Sequence, residues 1–165
     1  MKRIAIVMGS SSDYPKLEAA ISLLQDFGVM PEVHIFSAHR TPDQAAELAA
    51  TARAKGYAAI IAAAGKAAHL AGALAARTTL PVIGVPIKSS TLDGLDALLS
   101  TVQMPTGLPV ATVAIDGAQN AALLALQILS VSEADIAEKL EQHRQRMTEA
   151  VLEADQELQS RLHKG

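Results

Sequence analysis

The run RIAIVM at residues 3–8 decides the fold, because it is apolar at nearly every position and is only as long as a strand. A short, continuous apolar run is typical of a strand that is buried on both faces, as in a parallel sheet. Four further runs of this kind follow along the chain: EVHIF (32–36), AAIIAA (58–63), PVIGV (81–85) and PVATVAI (109–115). Together they predict a five-stranded parallel sheet.

Segments with a helical period separate these runs. They lie near residues 15–27, 43–55, 67–78, 94–101 and 118–130. Ser12 or Asp13 is predicted to cap the first helix and Thr41 the second, since such side chains bind the free N–H groups at helix starts. Alternating strands and helices predict a three-layer, doubly wound α/β domain with helices on both faces of the sheet. For five strands, the flavodoxin-like order is the simplest expectation.

The segment after residue 131 has a different character. Its apolar residues recur at three- and four-residue spacing and charged residues cover the other positions, which predicts one long amphipathic helix. The stripe consists of Ile136, Leu140, His143, Met147, Val151, Ala154, Leu158 and Leu162. About 30 residues span about 45 Å, whereas the radius of gyration of such a domain is about 15 Å. We therefore expect residues 1–131 to form the flavodoxin-like domain and residues 132–165 to pack on a neighbouring subunit of a homo-oligomer; a partly frayed tail is the alternative.

The composition excludes several kinds of partner and chemistry. The 165-residue chain has 14 Lys+Arg against 17 Asp+Glu, a net charge of −3, and no basic run, so nucleic acid is not an expected partner. It has no cysteine, which excludes disulfides, iron–sulfur clusters, thiolate zinc sites and thiol catalysis. The first apolar run is too short for a secretion signal or a membrane span. We expect a soluble, cytoplasmic protein without a membrane partner.

Polar and small residues follow the first four strands. These loops read GSSSDYP, SAHRTPD, AGKAAHLAG and PIKSSTLDG, and in an open parallel sheet the ligand site lies beyond the carboxyl ends of the strands. In the first loop, Ser10, Ser12 and Asp13 stand at a predicted helix start, where free N–H groups and the helix dipole favour an anion such as phosphate. The alternative is a helix cap without a ligand, because capping favours the same residue types.

His39 and Arg40 follow the second strand, and His69 lies in the third loop. An imidazole has an ordinary pKa of about 6.5 and therefore both takes and returns a proton around neutrality. An adjacent guanidinium binds phosphate through paired hydrogen bonds. A purely structural role at the end of a strand is the alternative, and it is the expected role for His34 within the strand. Two histidines also suggest zinc, but no Cys, no H-E-x-x-H motif and no third ligand accompany them, so no metal is expected.

Taken together, these loops and the segments LPVIGVPIKSSTLDGLDALLSTVQMPTGLPVATVAI and NAALLALQIL resemble the bacterial 5-(carboxyamino)imidazole ribonucleotide mutase family of purine biosynthesis, from about residue 4 to residue 130. The specific part of the pattern is S-A-H-R-T-P with G-S-x-S-D ahead of it and A-A-H-L behind it. The resemblance implies a flavodoxin-like subunit, usually in an octamer, that moves a carboxylate of the ribonucleotide from the exocyclic nitrogen to ring carbon 4 through carbon dioxide. It implies no metal, biotin, flavin or ATP.

The resemblance also implies roles for particular residues. His39 would be the general acid/base, and His69 would position the carboxylate or carbon dioxide against the small-residue wall of the third loop. The implied phosphate contacts are Ser10, Ser12 and Arg40, with Asp13 on the ribose. The remaining predicted substrate contacts are Ser37, Gly65, Lys66, Ala67 and Leu70.

Two residues depart from the family loop, which generally reads A-G-G-A-A-H-L-P-G. Lys66 stands in place of the second glycine and Ala71 in place of the proline. Lys66 removes a residue that is free to adopt a positive φ and adds a cation beside the trapped carboxylate, while Ala71 loosens the backbone just after His69.

Two other functions compete with the mutase. A sister enzyme carboxylates aminoimidazole ribonucleotide directly with carbon dioxide on the same fold, although the A-A-H-L loop favours the mutase. From a different class, the chain would be a flavin- or nucleotide-binding module, but only 2% of its residues are aromatic and few rings are present to flank a flavin. A phospho-receiver domain is disfavoured further, because the third strand ends in AAAGK rather than in an acceptor aspartate.

Overall fold

The computed structural model describes residues 3–163 as a parallel sheet covered by helices on both faces. The five strands are β1 (Arg3–Met8), β2 (Met30–Ile35), β3 (Tyr57–Gly65), β4 (Val82–Ile87) and β5 (Ala111–Thr112). Their order is β2-β1-β3-β4-β5 and every neighbouring pair is parallel. The predicted fold class and the flavodoxin-like order are confirmed.

Six α-helices connect and flank these strands. They are α1 (Tyr14–Asp26), α2 (Pro42–Ala52), α3 (Leu70–Ala75), α4 (Leu95–Val102), α5 (Ala118–Ser130) and α6 (Ala134–Leu162). Helices α1, α5 and the start of α6 pack on one face of the sheet, and α2 and α3 pack on the other. Within the described residues, both cores consist mainly of Ala, Val, Ile and Leu side chains with a single buried ring in each, Phe27 in one and Tyr57 in the other, in keeping with the alanine-rich, ring-poor composition.

Helix α4 approaches β4 closely because Gly84 has no side chain. A Cβ atom at Gly84 would lie 2.4 Å from Cγ2 of Thr101 in α4 and 3.0 Å from Cγ1 of Val110, far inside van der Waals contact. Thr101 itself is buried, and its hydroxyl donates to the Ala97 carbonyl within α4 at 2.7 Å.

The fifth strand is much shorter than the predicted span of residues 109–115. Val113 donates to the Gly84 carbonyl at 3.0 Å, but the next donor that β4 would offer belongs to Pro86, which has no N–H group. Pro109 lacks the same group on the other strand. The prolines therefore limit β5 to two residues.

Asp13 and Thr41 occupy the N-cap positions of α1 and α2 as predicted, but neither side chain makes a capping hydrogen bond, and Ser12 is not a cap of α1. Ser10 instead caps a 3-10 turn over Ser11–Asp13, and the Asp13 side chain makes no capping hydrogen bond to α1. The Thr41 hydroxyl accepts the Ser37 N–H at 2.8 Å and donates to the Ser37 carbonyl at 3.2 Å. It is used to close the turn before α2, because that turn has its own backbone groups to satisfy.

The long C-terminal helix is confirmed, with α6 running for 29 residues. Its first turns pack on the domain: Ile136 is fully buried, and the His143 ring meets Phe27 edge-on at 6.0 Å. From Met147 onward the apolar stripe is exposed, with Val151 70% and Leu162 64% accessible. Packing of this outer half on a neighbouring subunit stays a prediction. Residues 164–165, the last two of the predicted segment 132–165, lie outside the described part of the chain.

Within residues 3–163, no helix combines the length and the apolar character that crossing a membrane requires. His34, which is level with Val7 near the carboxyl end of β2, bonds Glu32 at 3.0 Å and stacks on Phe36 at 5.0 Å. Arg3 pairs with the same carboxylate and lies 4.6 Å from the Tyr57 ring centre. The contacts with Glu32 and Phe36 hold the His34 ring in place, so His34 has a structural setting.

Candidate active site

A cleft of about 730 Å³ opens at the carboxyl ends of the strands. It lies where the connection after β1 leaves toward one face and the connection after β3 leaves toward the other, which is the usual ligand position in a doubly wound sheet. Ten of the predicted site residues line it: Ser10, Ser12, Asp13, Ser37, His39, Arg40, Gly65, Lys66, Ala67 and Leu70. The eleventh, His69, contacts His39 beside the cleft.

The register of the sheet brings the second and third loops together. Met8 at the end of β1 is level with Ile35 in β2 and with Ala63 in β3. The loops after β2 and β3 therefore start near the same height on either side of β1, and they approach each other over the carboxyl end of β1.

The loop that carries His39 and Arg40 is a tight, hydrogen-bonded turn. The Ser37 hydroxyl accepts the backbone N–H groups of His39 at 3.3 Å and Arg40 at 3.2 Å. Thr41 donates its N–H to the Ser37 carbonyl at 2.9 Å. Ser37 thus organises the backbone of the turn, and the His39 and Arg40 side chains are left exposed at its tip.

His39 and His69 form a hydrogen-bonded pair. His39 Nε2 lies 3.0 Å from His69 Nδ1, and the two rings meet edge-on with an interplanar angle of 82°. Such a bond needs a proton on one nitrogen and a lone pair on the other. The pair is compatible with neutral rings or with one imidazolium, and it breaks when both rings are charged, so it can pass a single proton.

The first loop offers hydroxyl groups beside the guanidinium of Arg40. Ser10 Oγ accepts from the Ser12 hydroxyl at 2.9 Å and from the Ser12 N–H at 3.3 Å, at the positive N-terminal end of α1. Arg40 donates one N–H to the Gly9 carbonyl at 3.0 Å and keeps further donors in its planar fork. These groups form a cationic, donor-rich corner of the cleft that suits a phosphate.

Asp13 is the one largely buried carboxylate of the cleft, with 7% of its surface accessible. Burial raises the pKa of Asp13, and the negative charge of Asp116 acts in the same direction, while hydrogen bonds with Ser10 and Ser12 oppose the rise. A buried carboxyl at this depth needs donors from its surroundings or from a ligand. It therefore suits the hydroxyl groups of a sugar.

In the third loop, Lys66 directly follows β3 and has a left-handed backbone conformation with a φ of 55°. The Lys66 carbonyl accepts the Ala68 N–H at 2.8 Å, and the Ala67 carbonyl accepts the His69 N–H at 2.8 Å, so α3 begins only at Leu70 rather than at residue 67 as predicted. Lys66 therefore adopts the positive φ that the glycine of the family loop would be free to adopt. The second departure, Ala71, is buried in the first turn of α3, where a proline would also fit because those N–H groups have no intrahelical partner.

The sequence model described as "AIR carboxylase" matches residues 3–150, which is most of the chain. The chain belongs to this family.

A family member from Pyrococcus abyssi, named N5-carboxyaminoimidazole ribonucleotide mutase, is 58% identical over 147 residues, covering 89% of this chain and 84% of that protein. The phosphoribosylaminoimidazole carboxylase of Saccharomyces cerevisiae is 52% identical over 157 residues, covering 95% of this chain but only 28% of that larger protein. The crystal structure of Treponema denticola PurE superposes with a TM-score of 0.86 at 30% identity, covering 94% of this chain and 98% of that one. The relative of similar length is thus a mutase by name.

The sequence patterns missed one side of the candidate site. The Asp116 carboxylate accepts hydrogen bonds from the Lys16 ammonium at 2.7 Å and from the backbone N–H of Lys88 at 2.9 Å. Both lysines line the cleft. Burial by itself raises the pKa of Asp116, but the hydrogen bonds from Lys16 and Lys88 outweigh it and lower the pKa. The rule that loops after strands carry the site would have found Asp116, because it directly follows the fifth apolar run.

Within residues 3–163, no three His, Cys, Asp or Glu side chains come together as metal ligands. His39 and His69 are near each other, and the carboxylates Asp13 and Asp116 lie on a different side of the cleft, toward α1. The residues present therefore do not form a ligand set for a metal ion.

Proposed function

We propose that this AIR carboxylase family member is an N5-carboxyaminoimidazole ribonucleotide mutase of purine biosynthesis. It moves the carboxylate from the exocyclic nitrogen of the ribonucleotide to ring carbon 4. The observation that carries the proposal is the His39–His69 pair, 3.0 Å apart, beside a cleft whose other corner offers Ser10, Ser12 and Arg40. The mutase relative at 58% identity supports the same assignment.

The cleft divides into a binding end and a reacting end. Ser10, Ser12 and Arg40 hold the phosphate, because hydroxyl donors and a planar guanidinium fit its oxygens. Asp13 accepts from the ribose hydroxyls. The ring then extends toward the third loop, where Gly65 and Ala67 leave room for a flat heterocycle and a carbon dioxide molecule, and Leu70 contributes an apolar wall.

The reaction needs one group that gives a proton and takes it back. Cleavage of the carbamate bond releases carbon dioxide and leaves an electron pair on the exocyclic nitrogen, which takes a proton from His39. Carbon 4 of the electron-rich ring then attacks carbon dioxide, and His39 removes the proton from that carbon, so protons and electrons balance over the cycle. His69 holds the His39 ring through its hydrogen bond and positions the carbon dioxide.

The second candidate is direct carboxylation of aminoimidazole ribonucleotide, which the name of the yeast relative favours. The two reactions differ in the ribonucleotide that is consumed. Purified protein is offered the N-carboxylated ribonucleotide, or the uncarboxylated one with and without bicarbonate, and formation of the 4-carboxylated product is followed. We expect turnover of the N-carboxylated substrate without bicarbonate. Turnover of only the uncarboxylated substrate plus bicarbonate would replace the mutase with the carboxylase.

We also propose that the enzyme is a cytoplasmic homo-oligomer, with an octamer implied by resemblance. The exposed half of α6 supports association, since Met147, Val151, Leu158 and Leu162 form an apolar stripe that is more than half accessible at each position. Stripes of this kind mark surfaces that pack on other protein. A small-molecule ribonucleotide is then the only other partner that the proposal requires; nucleic acid, a membrane and a cofactor have no part in it.

A further inference from the structure

We propose that Lys66 binds the carboxylate group of the ribonucleotide and thereby makes the cleft prefer carboxylated over uncarboxylated ligands. The inference rests on the proposed function for the identity of the ligand. It assigns a specificity-determining contact to a position at which the family pattern has glycine, so it concerns a property of this chain.

The charges of the cleft single out Lys66. Three lysines line the cleft: Lys16, Lys66 and Lys88. Lys16 is paired with Asp116 at 2.7 Å and Lys88 with Asp93 at 3.1 Å. In the part of the chain that the structure describes, the Lys66 ammonium has neither an ion pair nor a hydrogen bond, and the residue is exposed. A cation without a protein counter-ion in a cleft is available to an anionic ligand.

The backbone at Lys66 supports a functional reason for the residue. Its φ of 55° is a conformation that a side chain with a Cβ atom adopts only with strain. Glycine would remove the strain, and residues held in such conformations cluster at functional sites. The preceding residue, Gly65, is closely packed, since a Cβ there would lie 3.1 Å from the Ile87 carbonyl oxygen.

The position of Lys66 favours the carboxylate over the phosphate as its partner. Lys66 precedes His69 by three residues in the same tight loop, and His69 touches His39. The donors suited to phosphate lie on the loops after β1 and β2, at Ser10, Ser12 and Arg40. Lys66 therefore belongs to the reacting end of the cleft, where the ligand carries its carboxylate.

Calorimetric titration with two ligands tests the inference. The ligands are aminoimidazole ribonucleotide and its 4-carboxylated form, which share the phosphate, ribose and ring and differ in the carboxylate. Lys66→Asn removes the charge, and asparagine tolerates a positive φ. Lys66→Gly also removes the charge and restores the glycine of the family loop, whereas Lys66→Arg keeps the charge. Lys55→Asn is the matched control, because Lys55 is an exposed lysine at the opposite end of the sheet, just before β3.

We expect both neutral variants to bind the 4-carboxylated ligand about tenfold more weakly, as for loss of a hydrogen bond to a charged group, and to bind the uncarboxylated ligand as the parent does. Lys66→Arg should retain most of the preference, and Lys55→Asn should bind both ligands like the parent. Equal weakening for both ligands would overturn the inference and assign Lys66 to the phosphate, and unchanged binding of both would remove it from the contact. A parent that binds neither ligand would refute the proposed function itself.

Discussion

Replacing Lys66 with glycine should stabilise the folded protein. The Lys66 backbone has a φ of 55°, and the left-handed conformation costs an L-residue about 1–2 kcal/mol. Glycine pays no such penalty, but it loses more chain entropy on folding, by about 0.5–1 kcal/mol. The difference predicts that Lys66→Gly raises the free energy of unfolding by about 0.5–1 kcal/mol.

Urea denaturation at one fixed protein concentration measures this change, because an oligomer's stability depends on concentration. For a domain of this size the matching rise in Tm is about 1–4 °C. Lys66→Ala is the control for charge, since it removes the ammonium and keeps the Cβ atom that causes the strain. Lys55→Gly is the control for glycine itself, because Lys55 is not among the residues with a positive φ.

The expected order of stability is therefore Lys66→Gly above the parent, Lys66→Ala close to it, and Lys55→Gly below it. If Lys66→Gly were no more stable than Lys66→Ala, the backbone at residue 66 would not be strained and the reasoning would be refuted. If the strain is real and Lys66→Gly also binds the carboxylated ligand more weakly, stability and specificity oppose each other at one residue.

Three further predictions concern His39 with Arg40, Glu32 in β2, and α6. His39→Asn should abolish turnover while ribonucleotide binding is retained, whereas Arg40→Ala should mainly raise KM. Steady-state kinetics together with calorimetry distinguishes the two effects, and a parent-like rate in His39→Asn would remove His39 from the mechanism. Hydrogen bonds from Tyr57 and His34 and the charge of Arg3 lower the pKa of Glu32 to about 2. The Glu32 carboxylate therefore stabilises the fold above its ordinary pKa, and this stabilisation, about 1 kcal/mol after solvent screening, is lost as the pH falls from about 4.5 toward 2. Acid denaturation of Glu32→Gln with the same pH dependence as the parent would contradict this. Truncation after Leu129 should reduce the oligomer size or the solubility, and an unchanged sedimentation profile would show that α6 is dispensable for assembly.

Most of the fold follows from local patterns, and its largest error follows from a contact between neighbouring strands. The run at residues 3–8 forms β1 with the predicted bounds, and the helix over 118–130 also has its predicted bounds. The fifth strand was predicted too long because its length depends on Pro86 in the neighbouring strand, and strand pairing is not visible in a single apolar run. The capping hydrogen bonds were predicted wrongly for a local reason, because the Thr41 hydroxyl bonds the Ser37 backbone of its own turn and not the N–H groups of α2.

The site shows the same division between local and distant information. His39, Arg40 and the hydroxyls of the first loop were predictable, because they follow apolar runs in a parallel sheet. The direct His39–His69 contact spans 30 residues of sequence and depends on β2 and β3 both flanking β1. Asp116 was missed although it follows the fifth run, since its partner Lys16 is 100 residues away and neither residue suggests a pair by itself.

The same long-range contacts indicate that the cleft is organised before a ligand arrives. Arg40 joins the second loop to the Gly9 carbonyl of the first, and the His39–His69 bond joins the second to the third. Asp116 joins the loop after β5 to the start of α1 and to the end of β4. Because the loops are tied to one another as well as to the sheet, little ordering entropy remains to be lost on binding. In the proposed mechanism, an imidazole held in this way is already positioned for the reacting ring, which is the condition for one group to serve both proton transfers.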